Sequence, residues 1–169
     1  MKEKIAVNSK KEFLLPVIVI GLVAVLGFLG HSGDVKSSAS SEFQYVKDKV
    51  SFDLYEPAYL PDGFSISKQS ISESKKIQPD DFAFFATKEN ETIWFIESRL
   101  KREVDLKMYL SWKDLNIDII DGKTVYFGLA NGNMAASYIH NGTWVTIKPM
   151  QQMDKKELIE IIHHLMKVN

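Results

Sequence analysis

A chain of 169 residues, 45% of them hydrophobic and 25% charged, has room for one domain beside a single apolar segment. Its 21 Lys and Arg against 22 Asp and Glu leave no basic stripe, which argues against nucleic acid as a partner. The absence of cysteine excludes disulfides, thiolate metal sites, a cysteine nucleophile and a lipid carried on an N-terminal cysteine.

Residues 1–12 form a short stub with Lys2, Lys4, Lys10 and Lys11 against Glu3 and Glu12. Phe13–Gly30 follows without a charge, an amide or a hydroxyl. As a helix these residues would span about 27 Å at ~1.5 Å per residue, close to the ~30 Å hydrocarbon core of a bilayer. The run exceeds the apolar region of a signal peptide, so it predicts a transmembrane signal-anchor and not a cleaved leader. The four leading lysines predict a cytoplasmic N-terminus and an extracellular C-terminal domain. Gly21, Ala24, Gly27 and Gly30 recur every three residues, which spreads them around the helix and makes no small-xxx-small face.

Residues 31–41 read as a flexible Ser/Gly-rich linker, and 42–169 as one extracytoplasmic domain. Phe43, Val46 and Val50 stand at helical spacing and predict a short helix over 42–50. Two prolines and Pro61-Asp62-Gly63 make the next segment extended and bent. Period-two patterns then predict strands over 64–71, 82–88, 92–100, 115–120, 123–129, 134–140 and 143–149. Asp121-Gly122, Asn131-Gly132 and Asn141-Gly142 are hairpin dipeptides, which predicts an antiparallel meander.

Two-residue turns at the last two of these pair Tyr138 with Val145, Ala136 with Ile147, Val125 with Tyr138, Phe127 with Ala136 and Leu129 with Met134. All fall on one apolar face, so two turns agree on the register. The Asp121-Gly122 turn fits less well. It would set Asp118 beside Val125 and put Ile117 and Ile119 on the other face, so a longer turn or a bulge is expected there. A helix from Asp154 to about Val168 closes the chain. Asp154 and Glu157 make its capping pattern, and Leu158, Ile161, Ile162 and Leu165 form one apolar stripe. The fold class is therefore α+β: a transmembrane helix, then a curved antiparallel sheet with a C-terminal helix packed on it.

Chemistry-bearing constellations are sparse. His163 and His164 are helix neighbours that point about 100° apart and cannot chelate together; His140 ends a strand and His31 lies in the linker. No Gly-x-Ser-x-Gly elbow, phosphate-binding glycine loop or calcium-loop spacing occurs. The carboxylate pairs Asp80-Asp81 and Asp118/Asp121 are explained by turns. The sequons at Asn90 and Asn141 also fall on turns. The mixed-charge run from Glu97 to Lys107 reads as a strand end and a solvated connection. No catalytic, cofactor-binding or metal residue is nominated, and an enzyme is not expected. Aromatics are more numerous than one core face needs: Phe82, Phe84, Phe85, Trp94, Phe95, Trp112, Tyr126 and Trp144. Ile93-Trp94-Phe95-Ile96 is apolar on both faces, which predicts a strand covered on both sides. An apolar cleft between sheet and helix, taking a lipid, is the sharper alternative.

Two stretches carry a family resemblance. Residues 50–64 contain Pro57-Ala58-Tyr59-Leu60-Pro61-Asp62-Gly63-Phe64, similar to an opening motif Pro-x-Tyr-Leu-Pro-x-Gly-Phe. Asn141–Ile147 and Met153–Ile162 resemble the closing strand and the Glu-Leu-x-x-Ile helix of the same family. It is a bacterial domain of unknown function in membrane-anchored proteins of Gram-positive bacteria, often C-terminal in anti-sigma-factor-like and sporulation-associated proteins. In general shape it is related to lipoprotein-carrier folds. The resemblance covers about residues 45–168 and implies no catalytic residues. Family members often set an aromatic before the Asn-Gly turn, whereas Trp144 follows it here. With only the 12-residue stub ahead of the span, an anti-sigma role would need a partner subunit. The expected function is a membrane-anchored binding or sensing module in the envelope, its partner an envelope protein or a lipid. A lipid- or lipoprotein-handling module is the alternative, and a hydrolase comes third.

Overall fold

The computed structural model describes residues 41–72, 77–100, 102 and 104–169. The stub, the segment Phe13–Gly30 and nearly all of the linker lie outside them. In chain order the described elements are helix α1 (Ser41–Lys47), strands β1 (Tyr55–Pro57) and β2 (Ser65–Ile66) and helix α2 (Lys68–Ser72). Strands β3 (Asp81–Lys88) and β4 (Glu91–Arg99) and a 3₁₀ turn (Leu106–Met108) follow. Then come β5 (Lys113–Ile120), β6 (Lys123–Ala130), β7 (Asn133–His140) and β8 (Thr143–Pro149), and finally α3 (Lys155–His163) and β9 (Leu165–Lys167). Seven strands make one antiparallel sheet in the order β2-β3-β4-β8-β7-β6-β5, and β1 pairs with β9 in a separate ladder. Among the described residues no helix is long and apolar enough to cross a membrane.

The hairpins follow from their turn residues. Asp121, Asn131 and Asn141 take φ of 49°, 55° and 48°, each followed by a positive-φ glycine. That is the twist-matched type I′ geometry, which Asn and Asp tolerate better than other side chains. Tyr138 faces Val145 and Ala136 faces Ile147. Val125 faces Tyr138, Phe127 faces Ala136 and Leu129 faces Met134. All five pairs are as expected.

The first turn corrects the sequence reading. Asp121-Gly122 is a strict two-residue turn with Asp118 opposite Val125, and the bulge lies at the far end of β5, between Lys113 and Asn116. Asp118 is accommodated at the rim by Lys155, whose Nζ is 2.8 Å away. The bulge coincides with Asp114 at φ 52° and with Gly128 across the pair. A Cβ on Gly128 would stand 3.0 Å from both the Lys113 carbonyl oxygen and the Trp112 Cβ. We expect Gly128→Ala to push this edge outward and cost about 1–3 kcal/mol in a urea titration. An unchanged midpoint would show that the edge yields freely.

Other boundaries move for local reasons. The strand expected over 64–71 stops at Ile66, because Ser70 donates its amide and its hydroxyl to the Ser67 carbonyl, at 3.0 and 2.6 Å. Such side-chain bonding favours a helical turn over a ladder. α1 ends at Lys47, three residues early, with the amide of Val50 reaching the Val46 carbonyl at 3.2 Å. α3 ends at His163 and not near Val168, since Leu165–Lys167 leaves the helix to pair with β1. Its N-terminus is the expected capping box of Asp154 and Glu157.

The core lies on one face of the sheet. Phe84 stacks on Phe95 with ring centroids 4.8 Å apart and takes the edge of Phe43 from α1 at 4.9 Å. Leu158, Ile161 and Ile162 of α3 join the same buried cluster, and Leu165 packs against it. The sheet face toward the helices is therefore filled by aromatic and branched side chains.

Candidate binding face

The other face is built differently. Side chains alternate along a strand, so the residues between core positions all project away from the helices. The registers set Ala83, Ile96, Thr146, Ser137, Tyr126 and Ile117 in one row across the sheet. Phe85 and Trp94 stand in the next row, their rings 5.2 Å apart. Over the middle the segment after β4 folds back: Leu106 is buried, as are Ala130 and Ala135, and none of the three belongs to the main core cluster. Trp144 is held flat by its Nε1 hydrogen bond to Ser137 Oγ at 2.7 Å, and Tyr109 meets its ring edge-on at 6.3 Å.

Among the described residues coverage stops there. Trp94 and Ile96 are each 37% exposed, Ile117 51% and Ile119 69%. The strand expected to be covered on both sides is thus sealed at Ile93 and Phe95 and open at Trp94 and Ile96. Beside the covering segment is a hollow of about 320 Å³ lined by Ser98, Leu100, Arg102, Val104, Tyr109 and Trp144 together with Asp81 and Arg99. Aromatic walls with a guanidinium and a few polar groups suit an extended peptide or a small amphipathic ligand.

Of the charged residues noted in the sequence, Asp81, Arg99 and Arg102 line the hollow, while His140, His163 and His164 lie elsewhere. His140 rests on the Tyr55 ring at 5.3 Å, and burial, then Lys123, lowers its pKa. His163 Nδ1 is 2.7 Å from Asp121 Oδ2, and His164 Nδ1 bonds the Glu160 carbonyl at 2.8 Å. Asp80 accepts from Ser51 Oγ at 3.0 Å, with Arg99 3.8 Å away. Among the described residues no three His, Asp or Glu side chains stand close enough together to hold a metal ion.

One polar residue escaped the sequence reading. Glu97, taken as the start of a solvated run, is fully buried on the core face of β4. The signal was its parity, since it continues the alternation of Ile93 and Phe95. β1 explains its presence. Leu54 and Ala58 bond β9 through Val168 and His164, so by alternation Tyr55 and Pro57 direct their main-chain nitrogens away from it. Pro57 has no N–H to satisfy. The Tyr55 amide donates to Glu97 Oε2 at 3.0 Å, while Oε1 has no hydrogen-bond partner. Burial pushes the Glu97 carboxyl well above the usual carboxylate range, against which the Tyr55 bond is the smaller effect. The Tyr55 phenol is pushed up to about 12, chiefly by burial. Glu97 thus acts as a pin beneath β1, sealed from the outer face.

No curated protein and no solved structure matches this chain. A family model does, over residues 54–165, from just before β1 to the first residue of β9. It therefore takes in the whole seven-stranded sheet and the capping helix. On that match the chain belongs to the family described as domain of unknown function DUF4367.

Proposed function

We propose that this protein is a non-enzymatic, single-pass membrane-anchored binding or sensing module, with its α+β domain outside the cell and Phe13–Gly30 in the membrane. Its setting is the Gram-positive envelope, in an anti-sigma-factor-like or sporulation-related process. The observation that carries the binding role is the outer sheet face, where Trp94 and Ile96 of β4 remain exposed and a hollow is lined by Tyr109 and Trp144. A monomeric domain gains nothing in stability from apolar side chains left in water, and such patches mark interaction surfaces. The partner is an envelope protein presenting an extended apolar segment with an acidic group, which Arg102 would meet.

The full chain, expressed in a Gram-positive host with a photo-crosslinking amino acid at Trp94, tests this. A discrete protein adduct, lost on Tyr109→Ser and absent when the probe sits at Gln152 near the opposite face, supports the reading. Failure of any Trp94 adduct to exceed that at Gln152 overturns it. A lipid adduct in place of protein would favour the lipid-handling alternative, with the ligand in the hollow and not between sheet and helix.

A further inference from the structure

We infer that the β1–β9 ladder is a pH-sensitive clasp, closed over Glu97 while that carboxyl carries its proton and released from the large sheet when the proton leaves. This goes beyond the binding role above and uses the other side of the sheet. Each strand of the ladder has 3 residues, and among the described residues no main-chain hydrogen bond joins it to the seven-stranded sheet. Its polar links to that sheet run through side chains. Thr143 Oγ1 donates to the Asp53 carbonyl at 2.9 Å, Asn141 Nδ2 reaches the Tyr55 hydroxyl at 3.5 Å, and the Tyr55 amide donates to Glu97 Oε2 at 3.0 Å. Leu54, Tyr55 and Val168 supply the apolar contact, buried in the core cluster. A short, separate ladder of this kind is a unit that can open while the rest of the domain stays folded.

The surroundings of Glu97 suit its neutral form alone. Its neighbours across the strands are Phe82 of β3 and Val145 of β8, and α1 meets Phe82 with another ring, Phe43. The ionisable groups nearby are Tyr55 of β1 and Tyr138 of β7, whose phenols burial raises. Beyond Tyr55 stand His140, against its ring, and Asp53, whose carboxylate is 2.8 Å from Lys167 of β9. None of these cations pairs with Glu97, whose Oε2 has one N–H and whose Oε1 has no partner. A carboxylate shut in this site is far less stable than one in water. Opening the ladder uncovers it. Burial holds the closed form's carboxyl well above its ordinary range, so between the ordinary value and the raised one the closed clasp keeps a proton that the open form releases. The opening constant then rises by about tenfold per pH unit through that window and is level on either side of it.

Hydrogen exchange of the full chain in a mild non-ionic detergent, resolved by amide and corrected for intrinsic rate, tests this from about pH 5 to 8. Ala58 and Val168 donate their amides within the ladder, to the His164 and Leu54 carbonyls. Their protection is expected to fall by about tenfold per pH unit within the window and to stay below that of β7 and β8 throughout. In Glu97→Gln, which keeps the acceptor for Tyr55, their protection is expected to be flat with pH. Ladder amides as protected as those of β7 would mean that the clasp opens only with the whole domain, and would overturn the proposal. So would a flat profile in the parent, or an unchanged slope in the variant. If Glu97→Gln fails to fold, the parent's profile decides by itself.

Discussion

Glu97→Gln is expected to stabilise the domain increasingly as pH rises above about 4, measured as the difference in unfolding free energy between variant and parent. The sign follows from proton binding. An unfolded glutamate titrates near ~4.3, whereas burial holds Glu97 well above that range in the folded protein. Between these two values the folded state keeps a proton that the unfolded chain has released. The parent therefore loses stability as pH rises through this window, and below it the group contributes no slope. Glutamine cannot release that proton, and its amide oxygen still accepts from the Tyr55 N–H. The variant should be flatter with pH, with the largest gain on the alkaline side. Parallel pH profiles would contradict the assignment.

Glu97→Ala separates the second role of this residue. It removes the acceptor of a buried amide, which costs about 1–3 kcal/mol even at acid pH where the carboxyl is neutral in both states. The loss should be local to β1, seen as faster hydrogen exchange at Tyr55 than in β7 or β8. A deletion that left Tyr55 protected would mean that β9 alone holds β1.

Phe84→Ala should be the most damaging of the core truncations. Phe84 is fully buried and touches three rings, with Phe43, Phe82 and Phe95 at centroid distances of 4.9, 5.6 and 4.8 Å. Removing a buried phenyl typically costs about 3–5 kcal/mol, a large share of the ~5–15 kcal/mol that holds a domain together. Urea unfolding of the variant gives this loss directly. Phe85→Ala, one residue on and facing the other way, should cost clearly less. Equal losses would mean that the outer face is as firmly packed as the core.

The contrast between Phe84 and Phe85 states the functional argument in miniature. Residues of one type, adjacent in the chain, serve different ends because strand parity sends them to different layers. One layer is closed by α1 and α3. Among the described residues the other is covered by the segment that holds Leu106 and Tyr109, with Tyr109 against Trp144, and Trp94 and Ile96 are each partly exposed.

Local chemistry carried much of the architecture. Three Asn-Gly or Asp-Gly turns, alternating patterns and one capping box determined the meander, its register and the start of the last helix, because each depends on backbone preferences within a few residues. Ile117 and Ile119 show where that reasoning strained. Their outward placement follows from the turn, but with Asp118 set beside Val125 it leads to the expectation of a longer turn or a bulge there. In the fold the turn prevails, and the isoleucines stay on an open edge. Only tertiary contacts decided the rest. Leu165 is a strand residue because it pairs with β1, and Glu97, turned inward by strand parity, finds its partner there in the Tyr55 amide that points away from β9. Neither partner is written near those residues; each belongs to a segment about 40 or more positions away that reaches them only when the chain has folded.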